Sequence, residues 1–376
     1  FSSRRRHTRY ISVTGVQTCA LPILNKVIDL NFYPTEKTSR SNKKHRPVGL
    51  GIQGLNNTYN MLGYGFDSPE AELLNKQIFE CIYYASVDES KELAKLYGHY
   101  ESFSGSPFSE GKLQYHLWGL TESDLVMNLD WKTLAEEVKQ YGTRNSLLTA
   151  LMPTASTAQI MGNYEGFEPY LTNIFVRTTL AGEFIVINDY LVKDLEDLNL
   201  WNEDMRKLII IYNGSIQHID SIPQNIKNKY KTAFELSLKS IIKQSVERGP
   251  FIDQSQSMNL FQPKPNFKVL YTAHMYGWKN GLKTGMYYLR TSPAVNPINF
   301  GIDIDDLKRL TGMNSVEELI QNSIADANII TNKRKRNENS NSSGESGEGD
   351  NKEEEKPMVC RYVRGQAPAD CLVCSS

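Results

Sequence analysis

Leu148-Thr149-Ala150-Leu151-Met152-Pro153-Thr154-Ala155-Ser156-Thr157-Ala158-Gln159 runs from a short apolar segment, through a proline, into a hydroxyl-rich stretch. An apolar run of this length suits a strand buried on both faces. Pro153 and the hydroxyl cluster behind it suit the first turn of a helix. Strand followed directly by helix is the repeating unit of an α/β fold. The junction also has chemical potential, because a helix start offers unpaired N–H groups and a positive dipole end to a phosphate. Thr154, Ser156 and Thr157 would add hydroxyl donors. Ordinary capping by a Ser or Thr side chain accounts for the same composition, and the residues alone leave both readings open.

Outward from this junction the pattern is that of an α/β protein with more helix than strand. Glu70 to Tyr97 carries Leu73, Leu74, Ile78, Ile82, Tyr83, Leu93 and Leu96 at helical spacing and is stopped by Gly98. Trp131 to Tyr141 is an amphipathic helix ended by Gly142, and Asp189–Trp201, Glu203–Ile211, Ile226–Arg248 and Tyr271–Leu282 read as further helices. Asp305 to Asp326 reads as a helical extension; residues 24–302 form the main body and 303–330 this extension. Beyond it, Thr331 to Glu355 is almost wholly polar and charged, which predicts a disordered linker, so that 331–376 is a flexible tail. Residues 1–23 show no apolar period and too short an apolar middle for a signal peptide, and they are read as an artefactual or unstructured leader.

Lys and Arg number 42 against 43 Asp and Glu, a net charge of −1 that argues against a nucleic-acid surface. No apolar run is long enough to predict a membrane span. With 5 cysteines and no signal peptide, a reducing cytoplasm is the expected compartment.

Two further motifs bear chemistry. Cys371-Leu372-Val373-Cys374 sits at the tip of the tail, where a dithiol could exchange with a disulfide and swing out to be reduced. A tether of about 40 residues would span roughly 35 Å root-mean-square. A partial metal knuckle, with Cys360 the only near neighbour, and no role at all are the other readings. Gly285-Met286-Tyr287-Tyr288-Leu289-Arg290 sets two tyrosines side by side. In a regular strand they would face opposite ways and simply pack. An irregular backbone, for which Gly285 is a source, would let the phenols touch and pass an electron with local proton movement. A third pattern, Gly49-x-Gly51-x-x-Gly54, is rejected as a dinucleotide fingerprint because Ser41 to Pro47 is basic and polar where an apolar strand is needed. Cys81 lies in an apolar helical pattern and reads as core.

Together, Arg46–Leu55, Leu73–Tyr84, Arg144–Gly162, Ile241–Gln256, Gly277–Thr291 and the Cys-x-x-Cys terminus resemble the large, catalytic subunit of class I ribonucleotide reductase, in its eukaryotic and large-virus branch. The resemblance implies part of a ten-stranded α/β barrel and reduction of ribonucleoside diphosphates to deoxyribonucleoside diphosphates. It implies a substrate diphosphate held by Thr154, Ala155, Ser156 and Thr157, and a radical relay through Tyr287 and Tyr288. Cys371 and Cys374 would act as the redox shuttle, themselves reduced by thioredoxin or glutaredoxin. The implied partners are a metal-containing small subunit that supplies the radical and a second large subunit; no metal or cofactor is expected on this chain. In that family the radical cysteine, the active-site disulfide and the ATP and dNTP effector sites precede the position of Leu24, so this chain alone is expected to be inactive. The family match also places Tyr271–Lys283 immediately before the relay, and its Met275, Trp278 and Leu282, at helical spacing, read either as part of the docking face for the small subunit's C-terminal tail or as residues facing the core. The competing reading is a noncatalytic module that keeps the phosphate cradle and the docking face.

Overall fold

The computed structural model describes residues 19–179, 182–291 and 304–312. Its elements are α1 (Leu21–Leu30), α2 (Glu36–His45), α3 (Leu55–Met61), α4 (Pro69–Tyr97), α5 (Gln114–Leu117), α6 (Trp131–Tyr141), α7 (Ala155–Met161), β1 (Ile174–Thr179), β2 (Gly182–Ile187), α8 (Asp189–Asp197), α9 (Glu203–Ile211), α10 (Gln224–Lys229), α11 (Leu238–Arg248), β3 (Leu260–Phe261), α12 (Phe267–Lys279), β4 (Leu289–Arg290) and α13 (Ile304–Thr311). The fold is mixed α/β, as the opening junction predicts.

Four extended segments lie side by side. Leu50 pairs parallel with Thr149, Leu151 pairs parallel with Gln256, and β3 pairs parallel with β4. Hydrogen bonds from Leu50 N to Leu148 O (2.7 Å), Leu151 N to Ser255 O (3.0 Å) and Leu260 N to Tyr288 O (2.9 Å) carry the ladder across. Parallel neighbours need long crossovers, and helices supply them here. Val48, Leu148, Leu151, Leu260 and Phe261 are buried, so the expected buried strand at 147–151 is present as one of the four segments. Among the described residues these four segments are joined in parallel, and they do not close into a barrel. Asp253 ties two of them, accepting from Leu148 N at 2.7 Å and Thr149 N at 2.9 Å.

Upstream of the Gly49-x-Gly51-x-x-Gly54 stretch, Ser41 to His45 belong to helix α2 rather than to an apolar strand, as the rejection of the fingerprint expects, and Leu50, which pairs with Thr149, lies inside the stretch. Its glycines serve packing: a Cβ on Gly51 would lie 2.5 Å from Ala150 O, and Gly54 (φ 77°) stands in the left-handed region before α3.

Helix α4 spans the expected stretch, capped by Ser68 and ended at Gly98 (φ 78°). Its buried face differs from the expected apolar stripe, however. Leu73 and Leu96 are exposed, while Asn75, Phe79, Glu80, Tyr83 and Val87 are buried. Helices α6 and α9 have the predicted bounds. Ile226–Arg248 is two helices instead of one: Ala233 N turns away to Tyr170 O (2.7 Å), and Ser237 caps a fresh start through Ser240 N. Helix α12 begins earlier than Tyr271 because Asn266 accepts from Lys268 N and Val269 N. Helix α2, with its Thr35–Thr38 capping box, and the antiparallel β1–β2 hairpin were not anticipated, since a polar ten-residue helix and short apolar runs give weak periodic signals.

Two boundaries move. Helix α1 starts at Leu21, which is fully buried, so the last residues of the supposed leader are packed; residues 1–18 lie outside the described ones. Helix α13, assigned above to the extension, packs with α9: Leu307 is buried, Lys207 Nζ meets Asp306 at 2.5 Å and Arg309 grips both oxygens of Asp204. The rest of the extension and the tail, with Cys371 and Cys374, lie outside the described residues.

The larger core is centred on Arg248, whose side chain is almost wholly buried. Its Nη1 donates to Asn75 Oδ1 on α4 (3.1 Å), its Nη2 to Ser245 Oγ (2.7 Å) and its Nε to Gln256 Oε1 (2.7 Å). The guanidinium lies 4.3 Å from the Phe167 ring centroid, and burial pulls its pKa down to about 10. A second cluster of Ile174, Leu191, Leu195, Ile209 and Ile219 sits under the hairpin. Replacing Arg248 by Met keeps most of the volume but leaves Asn75 and Gln256 facing no donor. A loss of about 3 kcal/mol is expected, read as a lower urea midpoint. Arg248→Lys should recover only part of it, because an ammonium cannot reproduce the fork.

Candidate functional site

The start of α7 is not capped by a side chain. Thr154 stands at φ 56°, in the left-handed region, and its Oγ1 accepts from Gly166 N at 2.7 Å, anchoring the 163–168 loop instead of the helix. The Thr157 hydroxyl donates back to Thr154 O (3.3 Å). Ala155, Ser156 and Thr157 are exposed, and their N–H groups belong to the first turn, which has no intrahelical acceptors. The capping explanation of the hydroxyl cluster therefore does not hold.

A pocket of about 190 Å³ opens beside this turn. Pro153 and Ala155 line one side, Glu165 and Glu168 a second, and Asn259, Tyr287, Tyr288 and Arg290 a third. The helix start and the tyrosine pair, 130 residues apart in sequence, thus share one cavity. Of the four predicted phosphate residues only Ala155 is in the lining; Thr154, Ser156 and Thr157 are on the same turn but outside it.

The tyrosine rings lie with centroids 4.4 Å apart at an interplanar angle of 70°, edge to face. A backbone irregularity permits this. Continuing the Leu260–Leu289 register, Tyr288 N would donate to Met258 O. Instead Tyr287 N takes that acceptor at 2.6 Å, so the strand carries one extra residue, a bulge. The neighbouring Tyr288 phenol holds the Tyr287 pKa above the ordinary tyrosine value. The Arg290 guanidinium lies 5.1 Å from the Tyr288 ring centroid. Gly285 lies two residues before the bulge and packs against His274: a Cβ there would lie 2.7 Å from Nδ1.

Glu168, Asn259 and Arg290 were not singled out from the sequence. Asn259 left a signal, a lone amide between apolar Met258 and Leu260-Phe261. Glu168 Oε1 accepts from Asn259 N at 3.1 Å, and burial raises its carboxyl pKa against those hydrogen bonds.

Helix α12 turns Ala273 and Gly277 inward and leaves Phe267, Tyr271 and Trp278 exposed. Of the three apolar residues expected to form a face, Trp278 alone is largely exposed; Met275 is intermediate and Leu282 packs on the core. Among the described residues, Asp88, Glu92 and Glu137 bring carboxylate oxygens close enough for a cation. Lys91 already lies 2.7 Å from Asp88 and 2.5 Å from Glu137, so the trio forms an ion-pair network.

Residues 4–288 match the family described as ribonucleotide reductase, barrel domain, and the chain belongs to that family. Among its relatives is the ribonucleoside-diphosphate reductase large subunit of Danio rerio, 51% identical over 295 residues, covering 78% of this chain and 37% of the relative. The large subunit of Acanthamoeba polyphaga mimivirus is 45% identical over 353 residues, covering 93% of this chain and 38% of its own length. Among solved structures, the alpha subunit of the Actinobacillus ureae class Id ribonucleotide reductase matches with a TM-score of 0.57 and 26% identity, over 73% of this chain and 44% of that one. The chain thus spans well under half the length of these proteins. No helix among the described residues is long and apolar enough to cross a membrane.

Thr154 offers a direct check on the site's framework. Thr154→Val retains the shape but leaves Gly166 N–H without its acceptor. A destabilisation of about 1–3 kcal/mol is expected in chemical denaturation.

Proposed function

We propose that the chain serves as part of a ribonucleotide reductase large subunit, in which the pocket holds a ribonucleoside diphosphate and the tyrosine pair delivers the radical that starts its reduction. The supporting observation is the shared cavity: an uncapped helix turn, suited to phosphate, opens beside two phenols in contact. Thr154, Ala155, Ser156 and Thr157 would take the diphosphate, the backbone N–H groups and the dipole end providing most of the attraction and the hydroxyls the rest. Arg290, across the pocket, adds a positive charge near the substrate.

The 2′-hydroxyl of the substrate leaves as water, and a dithiol supplies the two electrons. Cys371 and Cys374 would then regenerate that dithiol and be reduced in turn by thioredoxin or glutaredoxin. The radical would arrive from a metal-containing small subunit, which the exposed aromatic face of α12 would help to dock. The parent enzyme would be a homo-oligomer, cytoplasmic, with its barrel completed and its ATP and dNTP effectors bound by residues outside this chain.

Replacing Ser156 and Thr157 together by Ala in a full-length parent should weaken diphosphate-substrate binding by about 1–3 kcal/mol, measured by calorimetry. Unchanged affinity would remove the phosphate assignment. Tyr288→Phe keeps the ring and removes the phenolic proton. Turnover in the full-length complex should collapse while the melting temperature stays nearly constant; near-normal turnover would show that the pair only packs.

A further inference from the structure

Tyr287 and Tyr288 are each about half exposed, 47% and 51%, so burial among neighbours does not hold their rings together. The backbone does. Because Tyr287 N occupies Met258 O, the bulge leaves Tyr288 N without its main-chain partner in the ladder. Asn259 Oδ1 takes its place, accepting from Tyr288 N at 3.1 Å, and the ladder resumes one step on at Leu260 N to Tyr288 O.

The orientation of that amide is set from the other side. The Glu168 carboxylate accepts from Asn259 N at 3.1 Å, and the Asn259 side chain beside it lowers the carboxyl pKa against the larger rise from burial. A carboxylate oxygen attracts the amide's NH₂ end, which turns its carbonyl end towards Tyr288. Asn259 itself is buried, so water cannot easily substitute.

We propose that Asn259, oriented by Glu168, is a positioning residue that keeps the two tyrosine rings in contact by supplying the acceptor the bulged backbone lacks. Its consequence for turnover rests on the relay reading above; its structural content does not. Without that acceptor the strand gains by shifting into regular register, which sends adjacent side chains to opposite faces and parts the phenols.

The test uses this chain with 3-fluorotyrosine at position 287, followed by ¹⁹F NMR through a pH titration. The native chain should show a phenol midpoint above that of the Tyr288→Phe chain, and a resonance displaced by the neighbouring ring. Asn259→Leu should bring both values to those of Tyr288→Phe. Should the Leu variant fail to fold, near-isosteric changes decide. Asn259→Asp with Glu168→Gln exchanges the charged and amide groups, keeps an acceptor for Tyr288 N and should retain both native values. A native midpoint and resonance in folded Asn259→Leu would overturn the proposal, as would a double variant that retains neither. Normal turnover by Tyr288→Phe in the full-length enzyme would remove the relay and leave this positioning role standing.

Discussion

The guanidinium of Arg248 is the contact on which the arrangement depends. A buried cation is costly unless its N–H groups all find acceptors, and Arg248 draws them from three places at once. Asn75 belongs to the long helix α4, Ser245 to α11 and Gln256 to the extended segment that runs on to Met258 and Asn259. Phe167, stacked beneath the guanidinium, neighbours Gly166 and Glu168 of the loop that walls the pocket. A single desolvated charge thus fixes the distance between the helical layer and both supports of the site. Tightening continues through Asn75 Nδ2 to Gln244 O and Tyr59 Oη to Gln244 Oε1.

From that frame the site is built largely by main chain. Thr154 spends its hydroxyl on Gly166, leaving the helix turn open, and a one-residue slip in the ladder brings together two tyrosines that a regular strand would separate. Each device gives up an ordinary hydrogen bond, a side-chain cap in one case and a ladder bond in the other. Local irregularities of this kind persist when the surroundings satisfy the displaced groups. Gly166 and Asn259 do so here.

Much of this was legible in the residues. Strand, proline and hydroxyls in that order predicted the junction at 148–159, and Gly98 and Gly142 marked where two helices stop. Gly-Met-Tyr-Tyr-Leu-Arg predicted a pair that would need an irregular backbone. The periodic reading failed where burial was not apolar: α4 buries Asn75 and Glu80 and exposes Leu73, because its neighbours offer Arg248 to one and Trp131 Nε1 with two backbone N–H groups to the other. It also failed at 230–237, where a capping serine restarts a helix inside a continuous apolar period.

The sequence by itself determined the α/β class, the family, and which residue types are available for phosphate and radical chemistry, because strand and helix signals and the family's motifs are local and short. Tertiary structure alone decided that the helix turn at Ala155 and the pair at Tyr287–Tyr288 face one cavity, that Thr154 is no cap, and that Asn259 and Glu168 support the pair. Those are contacts between segments about 12 to 130 residues apart, set by strand register and by where a buried charge finds its partners, and no local pattern encodes either.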